Sequence, residues 1–175
     1  MTGKNLMHKA LQAFADAVKA KMGQITSGEQ EDQMRGPFEN FMAGVADALG
    51  WKVVCTGETS LPNRLGRPDY AVHLNQLLAG YVELKAPGVG ADAKRFKGRD
   101  REQFQRFSAI PNIPYTDGNE WALYRDGKPV DRIVRLSGDV AADGAKAATR
   151  PLRTATESCA VREMQLAQGL FPPIE

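Results

Sequence analysis

The chain is poor in the residues that build disulfide frameworks, zinc sites and histidine-based catalytic centres. Its 175 residues include two cysteines, Cys55 and Cys159, and two histidines, His8 and His73. The cysteines form no C-x-x-C pair and no zinc-ligand spacing, so we expect them to be reduced thiols. The histidines lie far apart in unrelated contexts, which favours a structural role for both.

The sequence also lacks long apolar runs. No stretch approaches the roughly 18 apolar residues that suggest a membrane span. The N-terminal segment MTGKNLMHKALQAFADAVKAK has no hydrophobic signal-peptide region. We therefore expect a cytoplasmic protein. The motifs of an ATP-driven motor and of a methyltransferase are absent too.

Neither sign of charge dominates the chain. Lys and Arg total 23 against 21 Asp and Glu, a net charge of +2, which alone does not indicate a nucleic-acid partner. The distribution is more informative, because five cations lie within eight residues: Lys94, Arg95, Lys97, Arg99 and Arg101. This run is either a solvated loop or a segment that contacts phosphates.

Length and composition suit one domain with its own core. The chain is 42% hydrophobic and 25% charged, which is typical of globular proteins that need no disulfide or structural metal. Apolar residues recur at steps of three and four over 4–25 and over 28–49, which predicts two amphipathic helices. Gly36-Pro37 should kink or split the second helix, and Gly50 should end it.

The period then changes to two, which is typical of strands. We predict strands over 51–57, 68–74, 80–85, 113–116, 121–124 and 130–136, and a polar helix over 100–109. Asp117-Gly118 and Asp126-Gly127 separate the last three strands, a strong hairpin signal. This order of elements predicts an α/β protein with a central mixed sheet flanked by helices.

The predicted elements suggest three segments. We expect an N-terminal helix over 1–27, a core over 28–137 and a poorly specified tail over 138–175. The tail is rich in Ala, Arg, Thr and Gly, with weak helical periodicity over 156–168.

Two acids and a lysine stand at the ends of two neighbouring strands. Asp69 follows Pro68, and Glu83 and Lys85 close the segment GYVELK fourteen residues later. Alternate side chains of a strand share a face, so Glu83 and Lys85 point the same way, and strand pairing lets Asp69 reach them. Two carboxylates and a backbone carbonyl, that of Leu84, suit a hard cation such as Mg²⁺. A nearby lysine can orient a water or stabilise charge on a phosphate, so the pattern predicts metal-assisted phosphodiester hydrolysis.

Each of these residues also has a simpler interpretation. Asp69 could be a strand-edge acid, and Glu83 with Lys85 could be an exposed ion pair, which contributes little stability. The segment GYVELKAPG is flanked by apolar residues and is typical of an interior strand, where an exposed ion pair is a poor explanation. The three residues together therefore favour a catalytic site.

The same residues resemble the signature of the PD-(D/E)xK nuclease superfamily. Pro68-Asp69 and then Glu83-Leu84-Lys85 are similar to its motif, and the order of elements is similar to its core. The segments GRPDYAV, GYVELKAPG, FKGRDREQFQRF and IPNIPYTDGNEWALYRDG resemble the N-terminal nuclease domain of single-chain restriction–modification enzymes. They also resemble domains that precede large adenine-specific DNA methyltransferases. The resemblance covers about residues 28–137.

This resemblance implies a restriction-endonuclease-like fold and a Mg²⁺-dependent DNA endonuclease, with Mn²⁺ as an alternative cofactor, of restriction–modification or phage-defence type. Asp69, Glu83 and the carbonyl of Leu84 would be metal ligands, and Lys85 the catalytic lysine. The product would carry a 5′-phosphate.

Two further positions follow from the resemblance. Such families often place an acid on the first core helix, where Glu31 and Glu39 compete. At about 100° per residue, Glu31 falls on the apolar stripe and Glu39 outside it. We prefer Glu31, because an acid on a buried face needs a reason and a metal site is one.

Gln103, four residues before Phe107, resembles a QxxxY element with Phe in place of Tyr, so only the role of the Gln carries over. A solvated helix face is its alternative.

The position of the basic run decides between its two interpretations. Residues 94–101 directly follow the strand that carries Glu83 and Lys85, so we expect them to contact DNA, and Arg64 and Arg67 to touch its backbone.

One rival hypothesis is a DNA-binding or interaction module of a larger restriction system that does not cut alone. Another is an RNase or a structure-selective nuclease. Cleavage of both DNA strands would need two sites, hence a homodimer or two molecules that meet on DNA.

Overall fold

The computed structural model describes residues 3–24, 28–130 and 132–148. The predicted helical segment at 156–168 and Cys159 lie outside the described residues. The helices are α1 (Gly3–Met22), α2 (Gln30–Gln33), α3 (Arg35–Leu49), α4 (Gly98–Phe107) and α5 (Val140–Asp143). The strands are β1 (Val53–Gly57), β2 (Tyr70–Leu74), β3 (Leu77–Leu84), β4 (Ile113–Thr116), β5 (Glu120–Arg125), β6 (Lys128–Pro129) and β7 (Val134–Arg135). Short 3-10 turns lie at Pro62–Arg64, Ala93–Arg95 and Gly144–Ala148.

The strands form one seven-stranded mixed sheet flanked by helices, which confirms the predicted α/β class. The order is β1-β2-β3-β4-β5-β6, and β7 also pairs with β5. All neighbours are antiparallel except β3 and β4, which are parallel. Parallel neighbours need a crossover connection, and here it contains α4. Strand β3 is therefore shared by a local hairpin and a long-range parallel pair.

The second predicted helix is divided in two, but not where the sequence suggested. The break lies at Met34, between α2 and α3, rather than at Gly36-Pro37. Pro37 is tolerated because it lies in the first turn of α3, where a missing N–H breaks no intrahelical bond. Gly50 ends α3 in the left-handed conformation, with φ of 71°, as predicted.

Most predicted strand limits are shifted by one to three residues, and two predicted strands differ in a way that has a clear physical reason. Strand β3 begins at Leu77 rather than at residue 80, because Asn75 and Gln76 adopt φ of 48° and 74° and form a two-residue turn directly after β2. The strand predicted over 130–136 is replaced by the short β6 and β7, which pair with successive parts of β5. Pro129 cannot donate to the ladder, which is consistent with a short β6.

Helix α1 packs on α3 and on the segment that follows β7. Its buried residues Leu11, Phe14 and Val18 belong to the main core cluster, which also includes Val140 and Ala147. The spacing of the three α1 residues is the predicted helical stripe. Among the residues described, none of the helices combines the length and apolarity of a membrane span.

Candidate active site

Asp69, Glu83 and Lys85 converge where the β2–β3 hairpin ends. The antiparallel register brings Asp69, just before β2, beside the end of β3. Side chains of β3 alternate, so Leu84 fills the core while Glu83 and Lys85 point the other way. Asp69, Glu83 and Lys85 are only 7%, 2% and 2% exposed. Buried charges are costly unless they are paired, so their partners are informative.

Oxygen atoms surround the ammonium group of Lys85. Its Nζ donates hydrogen bonds to Glu83 Oε1 at 3.0 Å and to Gln103 Oε1 at 2.8 Å. Asp100 Oδ1 lies 3.1 Å from Nζ, and Glu31 Oε2 lies 4.0 Å from it. Burial alone would lower the pKa of Lys85, but the carboxylates around it outweigh burial and raise that pKa. The lysine is therefore held in its charged form.

Both carboxylate oxygens of Asp69 have a partner. Oδ2 accepts a hydrogen bond from the N–H of Leu84 at 2.8 Å, and Oδ1 accepts one from Arg35 Nη2 at 2.7 Å. Burial raises the pKa of Asp69, and the Leu84 hydrogen bond and the Arg35 charge offset only part of that rise. These two contacts fix the orientation of the Asp69 side chain.

Glu83 keeps one oxygen without a protein partner. Its Oε1 binds Lys85, whereas its buried Oε2 has no hydrogen-bond partner within the described part of the chain. Burial, and then the charge of Asp69, raise the pKa of Glu83 to about 8. A buried acceptor left unsatisfied is unfavourable and needs an explanation. A ligand that binds at this oxygen is such an explanation.

Three acids are placed to share one cation. Glu31, Asp69 and Glu83 each offer a carboxylate oxygen, and these three atoms lie within 4.8 Å of one another. An all-oxygen donor set suits a hard divalent cation such as Mg²⁺ or Mn²⁺. The unsatisfied Oε2 of Glu83 is a separate sign of a ligand at the same place. The residues present therefore fit a divalent cation. Ligation by the carbonyl of Leu84 stays a prediction.

The two acids that competed for the first helix lie in different surroundings. Glu31, on α2, belongs to the three-acid cluster, and burial raises its pKa. Glu39, on α3, accepts a hydrogen bond from the Tyr70 hydroxyl at 2.8 Å. A cavity of about 590 Å³ opens beside Glu31 and is lined also by Gly28, Glu29, Gln30 and Ala86. Glu31 is thus the member of the acid cluster that borders this cavity.

Two residues of the site escaped the sequence analysis, Arg35 and Asp100. Arg35 follows Glu31 by four positions, and Asp100 precedes Gln103 by three, so each pair has the spacing of one helical turn. For Asp100 that spacing was a usable signal, because side chains one turn apart on α4 lie on the same face, whereas Glu31 and Arg35 belong to different helices.

The predicted DNA-contacting cations fall into two groups. All six whose side chains the structure describes are exposed, and four of them form the first group: Lys94, Lys97, Arg99 and Arg101. Two others are held in ion pairs. Arg95 pairs with Glu120, and Arg67 lies 3.3 Å from Glu58. The side chain of Arg64 lies outside the described part of the molecule.

Comparison with known proteins supports the fold alone. No family model matches the chain, and no curated protein matches it. Among solved structures, a chain in the cryo-EM structure of a DrdV–DNA complex is similar, with a TM-score of 0.52 and 20% sequence identity. The similarity covers 80% of this chain and 13% of that chain. The two proteins share a fold over this region, and the present chain spans a small fraction of the other's length.

Proposed function

We propose that the chain is a metal-dependent DNA endonuclease with a restriction-endonuclease-like, PD-(D/E)xK core, of restriction–modification or phage-defence type. The observation that carries the proposal is the buried convergence of Asp69, Glu83 and Lys85. A core selected for stability alone favours apolar residues at such positions. The reason is that the free energy needed to desolvate two charges usually exceeds the free energy gained from their attraction. The mixed sheet flanked by helices suits a nuclease-like fold, and the similar fold of a protein solved with DNA supports DNA as the substrate.

In this proposal, Glu31, Asp69, Glu83 and the carbonyl of Leu84 hold Mg²⁺, or Mn²⁺ in its place. When bound, the cation supplies a Lewis acid that lowers the pKa of a water and neutralises charge on the phosphate.

Lys85 acts on the reacting groups, and Gln103 positions Lys85. Gln103 holds Nζ of Lys85 through a 2.8 Å hydrogen bond, while Glu83 holds it from the other side at 3.0 Å. A charged Nζ so fixed can position the attacking water. It can also donate a hydrogen bond to a phosphate oxygen as negative charge develops there. Burial strengthens this interaction, because the ammonium is almost excluded from bulk water.

The exposed cations Lys94, Lys97, Arg99 and Arg101 are available to bind the DNA backbone beside the site. Arg67 and Arg95 already have ion-pair partners within the chain. Each would have to leave its carboxylate partner before it could bind a phosphate. Cleavage of both strands would require a second copy of the site, supplied by a homodimer or by two molecules on one DNA.

A second candidate function is a DNA-binding module that does not cut on its own. The observation that favours it is length, because the similar structure aligns over only 13% of its own chain. Helicase or methyltransferase domains on another chain would then be needed to present the substrate.

Plasmid cleavage with Mg²⁺ or Mn²⁺ tests the proposal. We expect the wild type to nick supercoiled DNA, and Asp69→Ala, Lys85→Ala and Glu31→Gln to lose at least about 100-fold in rate. Glu39→Gln is the matched control for Glu31, since Glu39 contacts Tyr70 instead of the cluster, and it should cut like the wild type. Equal cutting by all variants would overturn the site. DNA binding by every protein without any cutting would favour the second candidate.

A further inference from the structure

Arg35, the first residue of α3, makes the most direct cationic contact with Asp69. Its Nη2 lies 2.7 Å from Asp69 Oδ1 and 3.5 Å from Glu58 Oε1. Its Nε donates to Asp32 Oδ1 at 3.3 Å, and its guanidinium carbon lies 5.9 Å from the centre of the Tyr70 ring. The Asp69 side chain is 9% exposed and that of Arg35 is 26% exposed. One end of the pair is therefore buried, and the other reaches the surface.

Each of the two buried carboxylates of the acid cluster pairs with a cation of the same chain. Glu83 is paired with Lys85, and Asp69 with Arg35. Lys85 has a role in the proposed reaction, whereas Arg35 has none assigned so far. A divalent cation that binds Asp69 meets a positive charge already placed on the same carboxylate. Like charges a few ångström apart repel, most strongly where water is excluded.

The surroundings of Arg35 allow it to change partners. The carboxylates of Asp32 and Glu58 offer it alternatives at the surface, and their side chains are 61% and 54% exposed. A guanidinium binds phosphate in the same bidentate manner as carboxylate. A DNA phosphate that approaches the site can therefore compete with Asp69 for Arg35.

We propose that Arg35 opposes cation binding in the absence of DNA and is drawn from Asp69 by a backbone phosphate of the substrate. Cation affinity then rises when DNA is present. By thermodynamic reciprocity, the cation strengthens DNA binding by the same factor. Arg35 is thus a regulatory positioning residue that couples the two ligands. This inference rests on the proposed function, because it takes Asp69 as a ligand of the cation.

Mn²⁺ binding to the full chain tests this coupling, measured by electron paramagnetic resonance with and without a hydrolysis-resistant phosphorothioate duplex. We expect Arg35→Gln to bind Mn²⁺ about tenfold more tightly than the wild type without DNA, because one like charge is removed. The gain in affinity on adding the duplex should shrink in this variant. Arg35→Lys keeps the charge and should stay near the wild type. Arg135→Gln is the matched control, since Arg135 pairs with Glu120 at 3.0 Å and should change nothing.

The outcomes separate the coupling from the cation site itself. Unchanged or weaker Mn²⁺ binding by Arg35→Gln overturns the role of Arg35, even if Asp69→Asn abolishes binding. Equal Mn²⁺ affinity of the wild type with and without the duplex also overturns it, and this result needs no variant to fold. Mn²⁺ binding that Asp69→Asn leaves intact, with and without DNA, overturns the proposed metal site instead.

Discussion

Glu83 combines burial, a neighbouring carboxylate and an oxygen without a partner among the described residues. Burial first and the charge of Asp69 second raise its pKa to about 8, from an ordinary value of 4.5. The folded protein therefore holds a proton at Glu83 more tightly than the unfolded chain does. A group of this kind stabilises the fold while it is protonated and loses that contribution as the pH rises through its folded-state pKa.

We predict that the free energy of unfolding, measured in chelator, falls as the pH rises from about 5 through about 8. Glu83→Gln carries no titrating carboxyl and should show a flatter dependence. Glu39→Gln removes a carboxyl that binds the Tyr70 hydroxyl outside the acid cluster, and it serves as the control. Urea denaturation at several pH values measures all three proteins. Parallel curves for the wild type and Glu83→Gln would show that Glu83 ionises with the same pKa in both states.

Tyr115 and Tyr124, on β4 and β5, offer a matched pair of hydroxyls. Their ring centres lie 5.7 Å apart. The Tyr115 hydroxyl is buried without a hydrogen bond to any described residue, whereas the Tyr124 hydroxyl accepts from the N–H of Ala93 at 2.8 Å and donates to the carbonyl of Ala91 at 2.9 Å. The two positions therefore separate the cost of burying a hydroxyl from the value of its hydrogen bonds.

We predict that Tyr115→Phe leaves the free energy of unfolding unchanged or raises it by up to about 1 kcal/mol, because no hydrogen bond is lost. Tyr124→Phe should lower it by about 1–2 kcal/mol, because two bonds are lost. Urea denaturation at one fixed pH compares them. A larger loss for Tyr115→Phe would mean that its hydroxyl binds a ligand or an ordered water.

How far single residues could be predicted depends on the range of their contacts. Asp69, Glu83 and Lys85 were placed on one face by strand alternation and a short hairpin, both of which are local properties. The contact between Arg35 and Asp69 joins residues 34 positions apart. It depends on how α3 lies against the strands, and no periodicity in the sequence specifies that.

At the scale of elements, Asp117 ties the β4–β5 turn to the loop that follows β3. This carboxylate is 1% exposed. Its Oδ2 accepts from the N–H groups of Gly88 at 3.0 Å and Gly90 at 2.8 Å. Its Oδ1 accepts from those of Asn119 at 3.0 Å and Glu120 at 2.8 Å. One side chain thus closes its own turn and anchors the segment that continues from β3.

We predict that Asp117→Ala lowers the free energy of unfolding by about 3 kcal/mol, because four N–H groups lose a charged acceptor. DNA cleavage should also slow at temperatures where the variant stays folded. Asp126→Ala, at the exposed Asp-Gly turn, should cost about 1 kcal/mol or less. Guanidinium denaturation and plasmid nicking measure the two effects. Equal losses at both turns would contradict an anchoring role.

The types of the elements followed from periodicity, but several limits did not. The turn at Asn75 and Gln76 requires positive φ at both residues. Asn adopts that conformation readily, while Gln gives no such signal. The break at Met34 precedes the Gly-Pro pair by two residues, because proline is tolerated in a first helical turn. A two-residue period identifies a strand but does not show whether it pairs parallel or antiparallel. The helix predicted between β3 and β4 was consistent with their parallel pairing.

At the scale of the whole molecule, α1 closes one side of the main core. Phe14 is 2% exposed, and its ring centre lies 5.5 Å from that of Phe41 and 6.0 Å from that of Trp121. The segment after β7 reaches α1 as well, where the N–H of Ala145 donates to Asp16 Oδ1 at 2.7 Å. This contact could not be predicted, since the Ala- and Gly-rich stretch has weak periodicity and its partner lies 129 positions earlier. The segment limits at 27 and 137 stay predictions.

We predict that a variant lacking residues 1–22 does not unfold cooperatively. Replacing one large core side chain by Ala costs about 2–5 kcal/mol, and a domain has only about 5–15 kcal/mol in total. Phe14→Ala should cost about 4 kcal/mol, whereas Leu6→Ala, at a 38% exposed position of the same helix, should cost less than about 1 kcal/mol. Circular dichroism during heating measures the unfolding of the truncated chain and of both substituted variants. A truncated chain that melts cooperatively and still cuts DNA would contradict a structural role for α1.

The position of β3 between a hairpin and a crossover has a consequence for the order of folding. The β2–β3 hairpin pairs residues close in sequence, whereas β4 reaches β3 only after the chain has closed the longer loop across residues 85–112. Asp69 and Glu83 belong to the hairpin, which forms early. Two contacts of Lys85 form only with the later parallel pairing. They are the hydrogen bond from its N–H to the Thr116 carbonyl at 2.8 Å and the contact with Gln103. A nascent chain therefore forms the hairpin that carries the acids first, and the contacts that hold Lys85 in place form last.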